Sequence, residues 1–530
     1  MKNFSKFLAA CQLLAGFSQL SRAADLPLAN DDRIVILGDS LICHGGFPNY
    51  SDYLASYLIT HNPSLTLHIQ SLGRSGLPIE GLLDSSPIGY QHYSKWAAPL
   101  APKFVFVMFA DNGGYSKATD KQLTQTLVDD YIVGRSHATA VLMGMIPQAN
   151  SDGYHLGGQY DDAIEEIALA ASPQLSYFKT WQALSPTWTS NIVFTADAST
   201  GLLSATGHGF ADGTRVIFEG GTAPAPLVPN SYYFVRDASS NTFRLTATSG
   251  GAAIPLTTNG AGTMRISANW AKLRAGSADS VHPGPTASAI AAWKLITGLG
   301  WSTQVSGAVI DAPSATVMSK NDCTITNVTH NALGGIDFSR LDARLPWAID
   351  EVGRPDAVAL FPAMSGWQNY SLKVTGLAIG NYEIFCNGES LSTVPSTTLS
   401  TGWNMSDITT GPVWRQCQEV LGRIRDMQGM DRTTLTEITS PRRIGVATYE
   451  SLATYSYATL GYTGISGAVA QRNFLLGLDA SRYSQNIIGA INNYDAAIHA
   501  AAQPTNLSFS IRRTNALLGP GSMKVKPIGP

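Results

Sequence analysis

Between residues 26 and 188 short runs of continuous apolar residues alternate with stretches whose apolar positions recur at helical spacing. The runs are Ile34–Leu37, Leu65–Ile69, Phe104–Phe109 and Ala140–Ile146; the helical stretches are Tyr50–Thr60, Lys121–Ala138 and Tyr160–Ala171. A strand that is apolar on both faces must be covered on both faces, so the pattern predicts a parallel sheet with helices on each side. Ligands of such sheets bind beyond the carboxyl ends of the strands, which is where Ser40, Gly73 and Asn112 fall.

The pattern changes near Ser190. Residues 191–267 carry short alternating runs such as Thr214–Phe218 and Ser231–Val235 separated by Gly, Thr and Asn, the signature of a small all-β module. The segments Gly207–Gly213, Tyr232–Val235 and Asn241–Leu245 resemble modules repeated in secreted and phage-tail-like proteins, and Gly207-His208-Gly209 reads as a turn between strands. Helical spacing resumes near Trp270, and Pro285–Leu299 is a helix that closes the first domain. Beyond Gln304 there are strand-like runs at Tyr370–Leu377 and Asn381–Gly388. Asn387-Gly388 is a tight-turn signal that makes the second of these a hairpin. Pro412–Met430 is amphipathic and helical, and Leu475–Ala502 is helical without an assignable role. The expected organisation is 1–23 a signal peptide, 24–190 with 268–303 one discontinuous α/β domain, 191–267 an inserted β module, and 304–530 an accessory region of a β hairpin plus helices.

At 530 residues the chain exceeds one ordinary core, in agreement with several domains. A formal charge of -3 with only 14% charged residues leaves no basic surface for a phosphate backbone, which argues against a nucleic-acid partner. The first residues read Met1-Lys2-Asn3-Phe4-Ser5-Lys6, an apolar run to Leu20, then Ser21-Arg22-Ala23-Ala24. This is a secretory signal with cleavage after Ala23, and the expected location is outside the cell or periplasmic. The run is too short and too interrupted by Gln12, Gly16, Ser18 and Gln19 to span a bilayer, and no other stretch is long enough. Leu8-Ala9-Ala10-Cys11 resembles a lipoprotein box but lies too early, inside the apolar run. Removal of the signal leaves Cys43, Cys323, Cys386 and Cys417, too few for a disulfide scaffold and spaced unlike a zinc site, although one pair can form.

The candidate chemistry starts where the first strand ends, in Gly38-Asp39-Ser40-Leu41. A serine hydroxyl is a weak nucleophile unless a base lies within hydrogen-bond reach and is itself oriented. Asp279-Ser280-Val281-His282 supplies both groups from one turn, with the carboxylate on one imidazole nitrogen and the other nitrogen facing Ser40. Two further blocks follow the second and third strands: Ser71-Leu72-Gly73-Arg74-Ser75-Gly76 and Asp111-Asn112-Gly113-Gly114-Tyr115. A glycine lets a backbone N–H approach a carbonyl oxygen closely, and a carboxamide is a neutral donor. With the Ser40 N–H they make a three-donor oxyanion hole of Ser40, Gly73 and Asn112.

Taken together these blocks resemble the GDSL or SGNH hydrolases, named for their Ser, Gly, Asn and His. The resemblance covers roughly Asp32 to Leu299 with the β module spliced in, and the segment Tyr370–Met427 is similar to one that follows the hydrolase domain in exported relatives. It implies a flavodoxin-like α/β/α sandwich and ester cleavage with no metal or organic cofactor. It also implies catalytic roles for Ser40, Asp279 and His282. The third block departs from the family's Gly-x-Asn-Asp: this chain has Phe109-Ala110-Asp111-Asn112. Alignment on Gly113-Gly114-Tyr115 puts Asp111 in the donor position, where an ionised carboxylate would repel an oxyanion. Asn112 takes the role if the loop adjusts slightly; if Asp111 faces the site, activity should be weak or the acid protonated.

The expected function is a secreted ester hydrolase acting on an acetylated polysaccharide, with Tyr115 and Tyr154 as weaker candidates for lining a sugar groove. Two alternatives stand beside it: a lipase or arylesterase for longer acyl chains, and a non-catalytic glycan-binding or adhesion protein on a hydrolase scaffold.

Overall fold

A computed structural model describes residues 21–22, 26–42, 48–73, 77–85, 92–109, 112, 115–146, 158–171, 173, 175–188, 192–229, 231–274, 282–439 and 495–514. Most of the expected signal peptide, Cys43 and the 475–494 part of the last helical stretch lie outside these residues.

Five strands form the parallel sheet: β2 (Arg33–Gly38), β3 (His68–Gly73), β4 (Phe104–Met108), β5 (Thr139–Met143) and β6 (Ser176–Phe178). Their order is β3-β2-β4-β5-β6, and the short β1 (Ser21–Arg22) pairs antiparallel with β6. Alternation along β2 separates two cores. Ile34 and Ile36 join α1 (Tyr50–His61), while Val35 and Leu37 join α3 (Gln159–Ala170); α2 (Lys117–Thr126) precedes α3 in the chain. The first two apolar runs differ in outcome. β2 falls where the pattern puts it, but the second strand is His68–Gly73 rather than Leu65–Ile69. Its central Gln70 and Ser71 are polar yet buried, which breaks the apolar run that marks a two-sided strand. The helix expected from Lys121 begins four residues earlier, because the Ser116 side chain accepts the Thr119 N–H as a cap; it continues as a wider π-type turn over Leu127–Val133.

After α4 (Thr180–Trp188) the chain enters a closed six-stranded barrel. Its strands are β7 (Ile192–Asp197), β8 (Leu202–Ser204), β9 (Arg215–Glu219), β10 (Tyr232–Arg236), β11 (Thr242–Thr246) and β12 (Met264–Ser267), in the order β10-β11-β8-β7-β12-β9. Period-two alternation points Phe194, Leu203, Val216, Phe218, Val235, Phe243 and Ile266 inward. Gly207 and Gly209 have φ of +62° and +67°, so the Gly-His-Gly segment is a turn, and His208 accepts the Phe210 N–H through Nδ1.

The chain returns through α5 (Ala268–Leu273) and α6 (Pro285–Gly298) to a second β region that exceeds the expected hairpin. One sheet is β14-β13-β17-β20, from β13 (Gln304–Asp311), β14 (Thr316–Asn321), β17 (Asn369–Thr375) and β20 (Trp403–Asn404). The other is β15-β16-β21-β18-β19, from β15 (Cys323–His330), β16 (Ile336–Asp342), β18 (Asn381–Cys386), β19 (Glu389–Pro395) and β21 (Leu507–Arg513). The two sheets share one apolar core. The β18–β19 turn carries Asn387 and Gly388 at φ of +50° and +84°, as the Asn-Gly pair predicts. Cys323, Cys386 and Cys417 are free thiols, and burial pushes those of Cys386 and Cys417 up to about 12.

The late helices belong to the first core as much as to the second. α9 (Gly411–Thr439), which follows the short α7 (Arg354–Leu360) and α8 (Ser396–Thr401), buries Val420, Leu421 and Ile424 with α1, and the helix at 495–502 adds Ile498 and Ala502. These helices also cover the exposed edge of β3. Gln428 accepts the Ser71 N–H at 2.8 Å and donates to the Ile69 carbonyl at 3.1 Å, and His499 Nε2 reaches the N–H and carbonyl of Leu67 at 3.0 and 2.8 Å. Side chains thereby replace a neighbouring strand and block edge pairing. Among the described residues no helix is long and apolar enough to cross a membrane.

Candidate active site

Gly38, Gly73 and Met108 end three adjacent parallel strands in register, Gly38 pairing with both of the others. The peptides that follow therefore emerge side by side. A Cβ on Gly38 would lie 2.8 Å from Ile42 Cδ1 and 2.9 Å from the Met108 carbonyl oxygen, so only glycine lets the serine turn fold back against β4.

Ser40 opens a single 3₁₀ turn, Ser40–Ile42, and is 6% exposed. Asp39 fixes that turn by accepting the Leu41 N–H on Oδ1 at 2.9 Å. Asn49 fixes its far end: Nδ2 donates to the Ile42 carbonyl at 2.5 Å, while Oδ1 accepts the N–H groups of Ser51 and Asp52 at the start of α1. The Asp52 carboxylate accepts the Asn49 N–H in return, completing a capping box that ties the nucleophile turn to a helix end.

Gly73 is buried at the end of β3. The fully buried His92 places Nε2 3.1 Å from the Leu72 carbonyl oxygen, and since a carbonyl only accepts, this nitrogen carries the proton. That carbonyl belongs to the peptide whose N–H is Gly73's, so His92 orients the proposed donor from behind. Asn112 is solvent-exposed after β4, and Asp111, Gly113 and Gly114 lie outside the described residues. Tyr115 is partly buried, and its hydroxyl, hydrogen-bonded to the Glu80 carboxylate, is pushed up to about 12 by burial and that neighbouring charge. It thus ties the segment after β4 to the one after β3. Tyr154 and Asp279 lie outside the described residues.

His282 is half-buried, three residues before α6. Its end of the molecule follows from helix direction. The carboxyl ends of α1 and α6 meet: the Tyr57 hydroxyl donates to the Ser302 carbonyl at 2.7 Å, and His61, Asn62, Leu299 and Trp301 surround one cavity. The two helices therefore run in the same direction, which puts the start of α6, three residues after His282, at the end where α1 begins. Ser40, Gly73 and Asn112 follow the carboxyl ends of three adjacent strands, where α/β proteins assemble their sites.

No family model and no curated protein matches the sequence. Solved structures do. BT4096, a gut microbial diltiazem-metabolizing enzyme, superposes on 93% of this chain and 99% of its own with a TM-score of 0.56 at 13% identity. The likeness is one of fold and extends through the barrel and the late sheets. Esterases and SGNH hydrolases stand among the other structural neighbours. AlinE4, an SGNH-hydrolase family esterase, matches 30% of this chain and 81% of its own at 20% identity and a TM-score of 0.22. A two-domain esterase active on acetylated mannans, co-crystallized with mannopentaose, matches 45% of this chain and 92% of its own at 11% identity and a TM-score of 0.22.

Sequence reasoning assigned no role to Asn49 or His92. Asn49-Tyr50-Ser51-Asp52 carries a readable signal, a side-chain acceptor at the cap with an acid three residues on. His92 carries none, being an isolated histidine between Gln91 and Tyr93.

Proposed function

We propose that the chain is an exported serine ester hydrolase on a flavodoxin-like α/β/α layout, and specifically a carbohydrate O-acetylesterase acting on an acetylated polysaccharide. The observation that supports this reading is the register of Gly38, Gly73 and Met108 at the ends of three adjacent parallel strands, from which Ser40, Gly73 and Asn112 follow.

In this mechanism Ser40 Oγ attacks the ester carbonyl while His282 takes its proton, and Asp279 orients the imidazole. The N–H groups of Ser40 and Gly73 and the carboxamide of Asn112 receive the oxyanion, each donor being worth about 2.7–4 kcal/mol of barrier. The intermediate collapses as His282 returns the proton to the departing alcohol, leaving an acyl-serine. Water, deprotonated by His282, then releases the acid and restores Ser40. Burial of Ser40 favours a small acyl group, and the barrel inserted between α4 and α5 offers surface for an extended polymer.

The test uses the purified chain with Ser40→Ala and His282→Ala, assayed on short and long nitrophenyl esters and on acetylated polysaccharides. Both variants should lose at least about 10⁴-fold in kcat. Equal rates for the parent and Ser40→Ala would leave a glycan-binding protein without hydrolase activity. A preference for long acyl chains would replace the acetylesterase by a lipase or arylesterase.

A further inference from the structure

The sheet has a second end. Where α1 and α6 finish, on the side away from Ser40 by the length of α1, about 18 Å for its 12 residues, lies a cavity of about 270 Å³. Leu26, Leu28, Tyr57, His61, Trp301 and Arg344 line it. The aromatic wall is a stack: the Tyr57 ring lies 4.1 Å from the His61 ring and 5.6 Å from Trp301, at interplanar angles of 25° and 15°.

Two polar groups in this wall are under-used. Arg344 donates to the Gln304 carbonyl at 3.3 Å and forms a long ion pair with Asp322 at 3.5 Å, and its Nε has no partner among the described residues. His61 is more than nine-tenths buried, and its Nε2 also has no partner among the described residues. Burial, together with the Arg344 charge, lowers the pKa of His61 to about 3, so it is a neutral imidazole at ordinary pH. Among the described residues no Asp or Glu lines the cavity. A guanidinium with open donors and no lining acid attracts a carboxylate, the group whose two oxygens match its planar fork. A neutral imidazole nitrogen suits a hydroxyl, and a flat aromatic wall suits the apolar face of a small ring.

We propose that this cavity is a second ligand site, separate from Ser40, for a small hydroxylated carboxylate of the uronic-acid class. Its carboxylate faces Arg344, a hydroxyl meets His61 Nε2, and the ring lies along Tyr57 and Trp301. The proposal stands apart from the ester chemistry, since none of its residues belongs to the Ser40 site.

Calorimetric titration of the whole chain with sodium glucuronate and with glucose tests it. Glucuronate should bind parent and Ser40→Ala equally and bind Arg344→Gln at least about tenfold more weakly, with glucose weaker than glucuronate for the parent. Leu28→Trp, which puts a larger side chain at a lining position, should abolish binding while leaving the melting temperature unchanged, and so guards against misfolding of the arginine variant. Absence of glucuronate binding to the parent, equal affinity in Arg344→Gln, or undiminished binding in a folded Leu28→Trp would overturn the site. Equal affinity for glucose would overturn the carboxylate assignment.

Discussion

The loops after β2 and β4 leave neighbouring strands at the same end of the sheet and are built in opposite ways. After β2, Asp39 and Asn49 spend their side chains on backbone groups of the Ser40–Ile42 turn, and Ser40 is nearly covered. After β4, Asn112 is open to solvent, and among the described residues the nearest anchors are Tyr115, held by Glu80, and the Ser116 cap of α2. A nucleophile must be held before substrate arrives, since misplacement by about 1 Å can cost on the order of 10²-fold. A donor to a charge that exists only in the transition state can complete its geometry when substrate binds.

The largest effect that would break this comparison lies on the open side. If Asn112 supplies the third donor, Asn112→Ala should lower kcat about 10²–10³-fold with little change in KM, because the interaction forms only in the transition state. Its melting temperature should stay at the parent value, the side chain being exposed. A wild-type kcat in Asn112→Ala, with loss of activity in Asp111→Ala instead, would transfer the role to Asp111.

A smaller effect on rate and a larger one on stability are expected on the built side. Asn49→Ala removes the donor to the Ile42 carbonyl and the cap of α1, which should cost about 1–2 kcal/mol of stability. It should also lower kcat about tenfold by loosening the Ser40 turn. Denaturant midpoints and steady-state kinetics read the two together. A destabilised Asn49→Ala with unchanged kcat would mean that the turn is held by Asp39 alone.

The same contrast decides what the chain discloses before folding. β2, β4 and β5 are two-sided apolar runs and are legible. β3 is not, because Gln70 and Ser71 are polar and buried, and the Ser71 backbone is satisfied by Gln428, 357 residues away. The late sheets are legible at the Tyr370–Leu377 run, which is β17, and at the Asn387-Gly388 hairpin. β14 and β15 are largely exposed, and β21 joins β16 and β18 from far along the chain. In the site, Ser40 and His282 announce themselves by local spacing. His92 acts through a tertiary contact to Leu72, which no local pattern encodes. For Asn112 the ambiguity is in the chain itself, since Asp111 and Asn112 are adjacent and differ by one amide.

The smallest effect concerns how the β4 side is anchored, and it depends on pH. Asp120 sits in the first turn of α2, just beyond Tyr115, and burial raises its carboxyl to about 7. Tyr115 and Tyr160 beside it stay neutral over the same range, because burial raises both hydroxyls. An acid whose folded pKa lies above its unfolded value, near 4, binds its proton more tightly in the fold. Its stabilising contribution is complete below about pH 4, falls as pH rises through about 7 and stays lost above that. Asp120→Asn holds the neutral form at every pH. Its melting temperature should match the parent near pH 4, exceed it increasingly from pH 4 to 7, and keep a constant lead above about pH 7.5. A lead that does not vary with pH would mean that the Asp120 carboxyl is solvated and that the helix start behind the Asn112 loop is as open as the loop itself.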